Sequence, residues 1–278
     1  GWSTLDLPDM AEPVNAQLIS LPESGKPLLN GLEITEGTYP NDERFDEVII
    51  SDSFAKSHNL KPGDVINTVI NGNKKQIVVK GLILSPEFIY ALGPGMMMPD
   101  DKRFGVIFMS RKALASAFDY EGAWNFVSVR IQKGFPEEEV IEKLNIIMKP
   151  FGGTGSYKRK FNVSHFFLNN EIEQLKISGT AVPPIFLLVA AFLLHLVVSR
   201  IITKEREQIG LLKAFGYRDI EIGWLYFKLI LTILFMGFLF GNLLGFWMGK
   251  GMIAMYSEYF RFPLISFYVE PRIIIVAC

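Results

Sequence analysis

The final third of the chain consists of two long apolar runs separated by a short polar connection. Residues 181–198 (AVPPIFLLVAAFLLHLVV) and 229–248 (LILTILFMGFLFGNLLGFWM) contain no charged residue. A helix needs about 20 apolar residues to cross the hydrocarbon core of a bilayer, and in lipid its backbone groups must bond to one another. Two such runs in tandem disfavour the alternative, two core helices of a large soluble protein. The pattern predicts membrane spans over about 181–199 and 225–249.

The region before about residue 175 has the mixed pattern of a soluble domain. Residues 46–66 predict a strand, a helix over about 52–58 and a turn at Pro62 and Gly63. A hairpin that turns at Asn71 and Gly72 is predicted next, and NFVSVRI (125–131) predicts a further strand. These patterns predict an α+β domain ahead of the transmembrane α-helices.

Two more helices are predicted between this domain and the first span. PEEEVIEKLNIIM (136–148) places a proline in the first turn and apolar residues at helical spacing. A helix is expected from a cap at Ser164 toward the first span. The predicted organisation is a domain over 1–163, a connecting helix over 164–180 and a transmembrane region over 181–278. A further apolar run at Ile273 is expected to begin a third span at about residue 272, so that the sequence stops inside a membrane protein.

The basic residues predict the orientation of the chain in the membrane. The short connection between the spans contains five of them, Arg200, Lys204, Arg206, Lys213 and Arg218. Short loops rich in lysine and arginine remain in the cytoplasm. The connection is therefore expected to be cytoplasmic, and residues 1 to about 178 extracytoplasmic.

Composition narrows the classes of partner. The chain is 49% hydrophobic with a formal net charge of -1, so nothing in its charge favours a nucleic-acid partner. The single cysteine is Cys278, which excludes a disulfide framework within the chain. The first ten residues, GWSTLDLPDM, lack the basic and apolar regions of a signal peptide.

The sequence lacks the usual signatures of an enzyme. It contains no G-x-S-x-G, no H-E-x-x-H and no phosphate-binding G-x-x-x-x-G-K-[ST] motif. GGTGSYK (152–158) has the wrong spacing for that loop and is interpreted as a turn. Asp100 and Asp101, beside Lys102 and Arg103, are expected to form a solvated turn. The chain is predicted to be no enzyme and to bind no metal or cofactor itself.

Two features have a functional and a structural interpretation. His195 lies within the first span, where an ionisable group is a candidate proton relay; a packed, hydrogen-bonded histidine is the favoured alternative. Met96, Met97 and Met98 offer thioether ligands for Cu(I), but a soft apolar loop is favoured.

Glycine recurs every four residues in the second span, at Gly237, Gly241, Gly245 and Gly249. This spacing places the four glycines on one stripe of a helix, and small residues allow helices to approach closely in lipid. The stripe predicts a helix-packing surface.

The connection between the spans has the pattern of a short helix. Glu205 and Glu207 suit its start and Lys213 its end, while Gly216 suits the position after it. Asp219 is a candidate cap for the following helix. Ile209, Leu212 and Phe215 are expected to share one apolar face. These residues alone leave two interpretations open, a docking helix and a turn that only anchors the spans.

A family resemblance separates these interpretations. SRIITKEREQIGLLKAFGYRDIEI (199–222) resembles the segment that follows a membrane span in FtsX-like permeases of ABC transporters. VIISDSFAKSHNLKPGDVI and QIVVKGLILSPEFIY resemble the extracytoplasmic core domain of MacB-like and LolC-like permeases, and GPGMMMPDDKRFGVIFMSRKAL resembles large, two-repeat members. The resemblance implies a MacB-like periplasmic core and a coupling helix over 205–216 that contacts the ATPase through Glu205, Arg206, Glu207, Gln208, Ile209, Gly210, Leu212, Lys213, Phe215 and Gly216.

The resemblance also implies a function. It indicates a permease subunit in the bacterial cytoplasmic (inner) membrane, coupled to an ATP-binding cassette subunit that binds the ATP. Membrane lipid and a second permease repeat or homodimer partner are the other expected contacts. The expected cargo is a lipid, a lipoprotein or a hydrophobic peptide. The alternative is a regulatory scaffold that activates an extracytoplasmic cell-wall hydrolase.

Overall fold

The computed structural model describes residues 1–23, 26–262 and Tyr268. In order along the chain, the strands and α-helices of this part are β1 (Trp2–Asp6), β2 (Val14–Leu21), β3 (Glu33–Gly37), β4 (Glu47–Ser51), α1 (Asp52–Ser57), β5 (Val65–Ile70), β6 (Asn73–Leu84), β7 (Phe104–Ser110), α2 (Arg111–Phe118), α3 (Glu137–Met148), α4 (Val163–Lys204), α5 (Arg206–Ala214) and α6 (Asp219–Tyr259). Short 3-10 turns lie at Lys149–Phe151 and Arg159–Phe161.

The described chain divides into two compact units. The first contains Gly1–Asn169 and the residues from Ser257 to Phe262, and the second contains Asn170–Tyr256. The strands therefore all lie in the first unit, together with the first turns of α4 and the last residues of α6.

The strands of the first unit form one mixed sheet. Its order is β3-β6-β4-β7-β2-β1-β5, and β5 also pairs with β6, so that six of the seven strands close into a ring. The pairs β2 with β7 and β4 with β6 are parallel, and the others are antiparallel. Closure gives each of those six strands a partner on both sides along part of its length.

Two apolar clusters cover the two faces of the central strands. One cluster contains side chains from the ring strands and is completed by Phe54 of α1 and by Ala113 and Ala117 of α2. The other lies against Ile49, Val106 and Phe108, and residues that follow β6 cover it. All seven residues of β7 are buried, as expected for a strand covered on both faces.

The hairpin and the turns predicted for the first unit are confirmed. β5 and β6 form the predicted hairpin, with positive φ angles of 49° at Asn71 and 76° at Gly72. This is the backbone conformation of a type I′ turn, which favours the sequence Asn-Gly. The predicted helices α1 and α3 and the turn at Gly63 are also present.

The strand predicted over 125–131 is wrong. In the described structure these residues have no regular secondary structure, and Trp124, Phe126, Val127 and Val129 are all more than half exposed. The ring closes without them. An alternating pattern predicts a strand only when an edge is available to pair with it.

The helix that leads to the first span is confirmed, but its predicted cap is wrong. α4 continues for 42 residues through Pro183 and Pro184. The Asn162 side chain caps it by accepting from His165 N at 3.2 Å. Ser164 lies inside the first turn and is buried, and its hydroxyl bonds to the Tyr90 backbone.

The second unit contains most of α4 and α6 and all of α5. α4 and α6 are each long and apolar enough to cross a membrane, and the apolar 18-residue window of each helix is 0% buried. Near one end, Tyr256 Oη donates a hydrogen bond to Glu171 Oε1 at 2.5 Å. The predicted third span and Cys278 lie outside the described residues.

Candidate functional site

The connection between α4 and α6, residues 205–218, contains the predicted site. A single residue, Glu205, separates α4 from α5. The amide of Gly216 bonds to Lys213 O at 3.0 Å, and the amide of Tyr217 bonds to Leu212 O at 3.2 Å. With φ of 93° at Gly216, this is the Schellman motif, which ends a helix where glycine supplies the left-handed conformation. The local sequence therefore defines both ends of α5.

Two side-chain contacts join α5 to the start of α6. Tyr226 Oη donates to Glu205 Oε2 at 3.3 Å, and Lys213 Nζ lies 2.5 Å from Asp219 Oδ1. Asp219 is the first residue of α6, and it makes this ion pair rather than the predicted cap. The first contact involves the N-cap residue of α5 and the second its last turn, so both ends of α5 are tied to α6.

Four large apolar side chains are exposed along α5, the turn that follows it and the first turn of α6. Leu211, Phe215, Tyr217 and Ile220, called the docking cluster below, are exposed by 61%, 74%, 54% and 83%. Ile209 and Leu212 are half-buried. The three side chains that were predicted to share one apolar face therefore differ in exposure: Phe215 is exposed, whereas Ile209 and Leu212 are half-buried.

The sequence analysis missed three members of the docking cluster. Leu211 lies four residues before Phe215, a helical spacing that places both on one face. Tyr217 and Ile220 lie in the turn and the first turn of α6, where helical periodicity gives no signal. The remaining predicted contact residues, Arg206, Glu207, Gln208, Gly210, Lys213 and Gly216, are exposed around this surface.

The chemistry of this surface suits protein contact. Its apolar side chains are flanked by charges of both signs, with Arg206, Glu207, Lys213 and Arg218 all exposed. Within the described ranges, no group of three or more His, Cys, Asp or Glu side chains could hold a metal ion. An exposed apolar patch rimmed by charge marks a protein or membrane interaction site.

The glycine stripe lies on α6. A side-chain carbon added at Gly237, Gly241 or Gly245 meets no other heavy atom of the described chain within 4 Å, apart from the neighbouring backbone of α6 itself. Space for a neighbouring helix is therefore present along this stripe.

Other predicted features lie elsewhere. Residues 152–158 form an irregular segment, as predicted. Met97 and Met98 are exposed, whereas Met96 packs against the apolar cluster beside β7. His195 is exposed along α4 in the described structure, which does not support the packed histidine that was favoured.

The expectation of a solvated turn at Asp100 and Asp101 is wrong for Asp101. Its side chain is 17% exposed and pairs with Arg261. Asp100 fits the expectation, with a side chain that is 44% exposed and lies 3.9 Å from Arg103.

Comparison with known proteins gives two findings. Residues 181–278 match the family described as FtsX-like permease C-terminal. A domain of a Porphyromonas gingivalis protein that is provisionally named a permease is similar over 54% of this chain, with 14% identity and a TM-score of 0.29. The chain spans 62% of the length of that solved structure. No curated protein matches the chain.

Proposed function

Because residues 181–278 belong to the FtsX-like permease C-terminal family, we propose that this membrane protein is the permease subunit of an ABC-type transporter. FtsX-like permeases are transport proteins that typically partner with an ATP-binding subunit. In this proposal the partner hydrolyses ATP and displaces α5, and α4 and α6 carry the motion to an extracytoplasmic sheet domain with a MacB-like role. The cargo is a lipid, a lipoprotein or a hydrophobic peptide in the bacterial cytoplasmic membrane.

The observation that carries the proposal is the docking cluster. Its four apolar side chains are more than half exposed, although they lie in or directly beside a short connection rich in charge. The Glu205–Tyr226 and Lys213–Asp219 contacts connect both ends of α5 to the start of α6. A partner that pushes on this surface would therefore move α6 together with α5.

The test is the substitution Phe215→Asp. Buried aromatic side chains dominate many protein interfaces, and removal of such a residue costs about 2 kcal/mol or more. We therefore expect affinity for a co-expressed ATP-binding cassette subunit from the same genome to fall at least about tenfold. Binding is measured by co-purification and titration in detergent, together with ATP hydrolysis.

Phe151→Asp is the matched control, because Phe151 is 79% exposed and lies in the first unit. This variant should bind the ATP-binding subunit as the wild type does. If Phe215→Asp inserts poorly while the surviving protein binds the subunit normally, the connection is only a membrane anchor. Wild-type affinity and yield in Phe215→Asp would remove this residue from the interface.

The cargo requires a separate measurement. Lipid or peptide that co-purifies with the wild-type complex, and is released during hydrolysis, supports transport. A cell-wall hydrolase that co-purifies and becomes active only with ATP would support the regulatory scaffold instead.

A further inference from the structure

The segment between β6 and β7, residues 85–103 and called the joint loop below, is fixed on the outer face of the sheet. Phe88, Ala91 and Met96 pack against the cluster that contains Phe104 and Phe108. The rings of Phe88 and Phe108 meet edge to face, with centroids 6.3 Å apart. The joint loop therefore moves with the central strands.

The first turn of α4 bonds directly to the joint loop. Ser164 Oγ accepts from Tyr90 N at 3.2 Å and donates to Tyr90 O at 3.0 Å. The rings of Tyr90 and Phe167 stack at 4.6 Å. Both polar groups of the Tyr90 backbone thus bond to one buried hydroxyl, and this attachment carries no net charge.

The end of α6 reaches the same loop by different contacts. Phe260, which follows α6, is buried and its ring centroid lies 5.2 Å from that of Tyr90. Arg261 N donates to Ile89 O at 2.8 Å. The Arg261 guanidinium forms an ion pair with Asp101. This attachment is partly electrostatic, and its two charged side chains are 28% and 17% exposed.

Asp101 connects this ion pair to the interior of the sheet domain. Ser53 Oγ donates to Asp101 Oδ1 at 2.9 Å, and Ser57 Oγ donates to Asp101 O at 2.7 Å. Both serines belong to α1, and Phe54 between them is fully buried in the core. The phenyl ring of Phe54 packs closely on Gly105 of β7, and a side-chain carbon added at Gly105 would lie 3.1 Å from the ring. A continuous series of contacts therefore runs from Arg261 through Asp101 and α1 to the sheet.

We propose that Asp101 and Arg261 are positioning residues that tie the end of α6 to α1, so that displacement of α6 is passed to the sheet domain. This inference rests on the proposed function, because it assigns the contact through which that motion reaches the domain. The neutral attachment at Tyr90 and Ser164 keeps α4 in place when the ion pair is broken. Loss of the pair therefore loosens the end of α6 without releasing the joint loop.

Charge reversal tests this proposal in the full chain. The variants are Asp101→Arg, Arg261→Asp and the double exchange. Each single change places two like charges in a partly buried site, which is unfavourable, whereas the double exchange restores an opposite pair. Asp100→Arg is the matched control, because Asp100 is adjacent but its carboxylate is more exposed. Its contacts are local: it accepts from Lys102 N at 3.0 Å and lies 3.9 Å from Arg103.

The first measurement needs no partner. Hydrogen exchange of the peptide over 257–262, in detergent, reports the bond from Arg261 N to Ile89 O. The peptide over 85–91 contains the Tyr90 amide that bonds to Ser164 Oγ, and its exchange should stay unchanged as the reference for the joint loop. Because the charged pair holds this end of the chain in place, exchange over 257–262 should accelerate at least about tenfold in both single variants. It should return to the wild-type rate in the double exchange and remain unchanged in Asp100→Arg. Unchanged exchange over 257–262 in the single variants, or a double exchange as loose as they are, would overturn the proposal.

The second measurement includes the ATP-binding subunit. The single variants should bind it with wild-type affinity but lose the nucleotide-dependent change in exchange at α1 and β7, and the double exchange should regain that change. A nucleotide response that persists in loosened single variants would overturn the transmission role. If the wild type itself binds no ATP-binding subunit, the proposed function fails on its own, while the first measurement still decides whether the pair ties α6 to α1.

Discussion

Glu87 has an unusual environment for a carboxylate, since it is half-buried in the joint loop. Asn30 Nδ2 donates to Glu87 Oε1 at 2.6 Å. Burial raises the pKa of the Glu87 carboxyl, while the Asn30 hydrogen bond and the charge of Arg159 oppose the rise and reduce it. The folded state therefore holds a proton on Glu87 more tightly than the unfolded state does.

This raised pKa predicts the effect of Glu87→Gln on stability. A glutamate in an unfolded chain has a pKa of about 4.3, and below that pH the carboxyl is protonated in both states. The protonated Glu87 carboxyl contributes its full stabilisation below that pH. This contribution is lost as the pH rises through the raised folded-state pKa. Glutamine keeps the acceptor for Asn30 but cannot ionise. We expect a higher melting temperature for the variant than for wild type at pH 7 and no difference near pH 4, by thermal unfolding in detergent.

Lys80→Gln provides the comparison for Glu87→Gln. Lys80 is half-exposed and pairs with Glu47 on another part of the sheet domain, at 3.4 Å. Lys80→Gln should not raise the melting temperature at pH 7, in contrast to Glu87→Gln. A Glu87→Gln melting temperature below that of wild type at pH 7 would show that the ionised carboxylate stabilises the joint loop.

The residues that connect α4 and α6 to the joint loop could not be identified from the sequence. Ser164 has the residue type and position of a helix cap, but its bonding partner Tyr90 is 74 residues away. Asp101 stands in a run of four charged residues, and a local pattern indicates solvent there. Its partner Arg261 is 160 residues away. Contacts at this separation depend on the tertiary fold, which residue type and spacing do not specify.

At the scale of elements, the helices were predicted better than the sheet. The bounds of α5 follow from local signals, because Gly216 supplies the conformation that ends it. The closed ring requires pairing between strands distant in sequence, such as β2 with β7, for which an isolated strand pattern contains no information. The false strand over 125–131 has the same cause: alternation reports an apolar, extended segment and not whether a partner strand exists.

The glycine stripe on α6 gives a prediction at this scale. Gly241→Leu fills the open space beside the helix and would hold a neighbouring helix away by the width of a side chain. Small residues favour close helix packing in lipid. We therefore expect loss of assembly with a second permease repeat or a second copy, with membrane insertion retained. Cross-linking in membranes and size-exclusion chromatography in detergent measure the assembly.

Gly251→Leu is the matched control for the stripe. Gly251 also lies in α6 with open space beside it, but its position falls off the stripe, since each residue turns an α-helix by about 100°. This variant should assemble normally. Normal assembly in Gly241→Leu combined with Gly245→Leu would indicate that the stripe faces lipid.

For the whole molecule, the proposed function gives the two ends of α6 different roles: its start contacts the ATP-binding subunit, and its end moves the sheet domain. α6 begins at the docking cluster and its last residues lie in the sheet unit. The proposed function requires these ends to lie on opposite sides of the membrane. The distribution of basic residues predicts which end is cytoplasmic, because Lys and Arg in short loops are retained there.

The orientation is tested with single cysteines in a Cys278→Ser background. Leu28→Cys places a thiol at a side chain that is 98% exposed in the sheet unit, and Arg218→Cys places one in the exposed basic connection. In intact cells with a permeabilised outer layer, an impermeant thiol reagent should label the first and spare the second. After detergent lysis both should react, which shows that Arg218→Cys is protected by the membrane and not by its own fold. Labelling of Arg218→Cys in intact cells would place the docking cluster outside, where a cytoplasmic ATPase cannot reach it, and the proposed coupling would fail with the orientation.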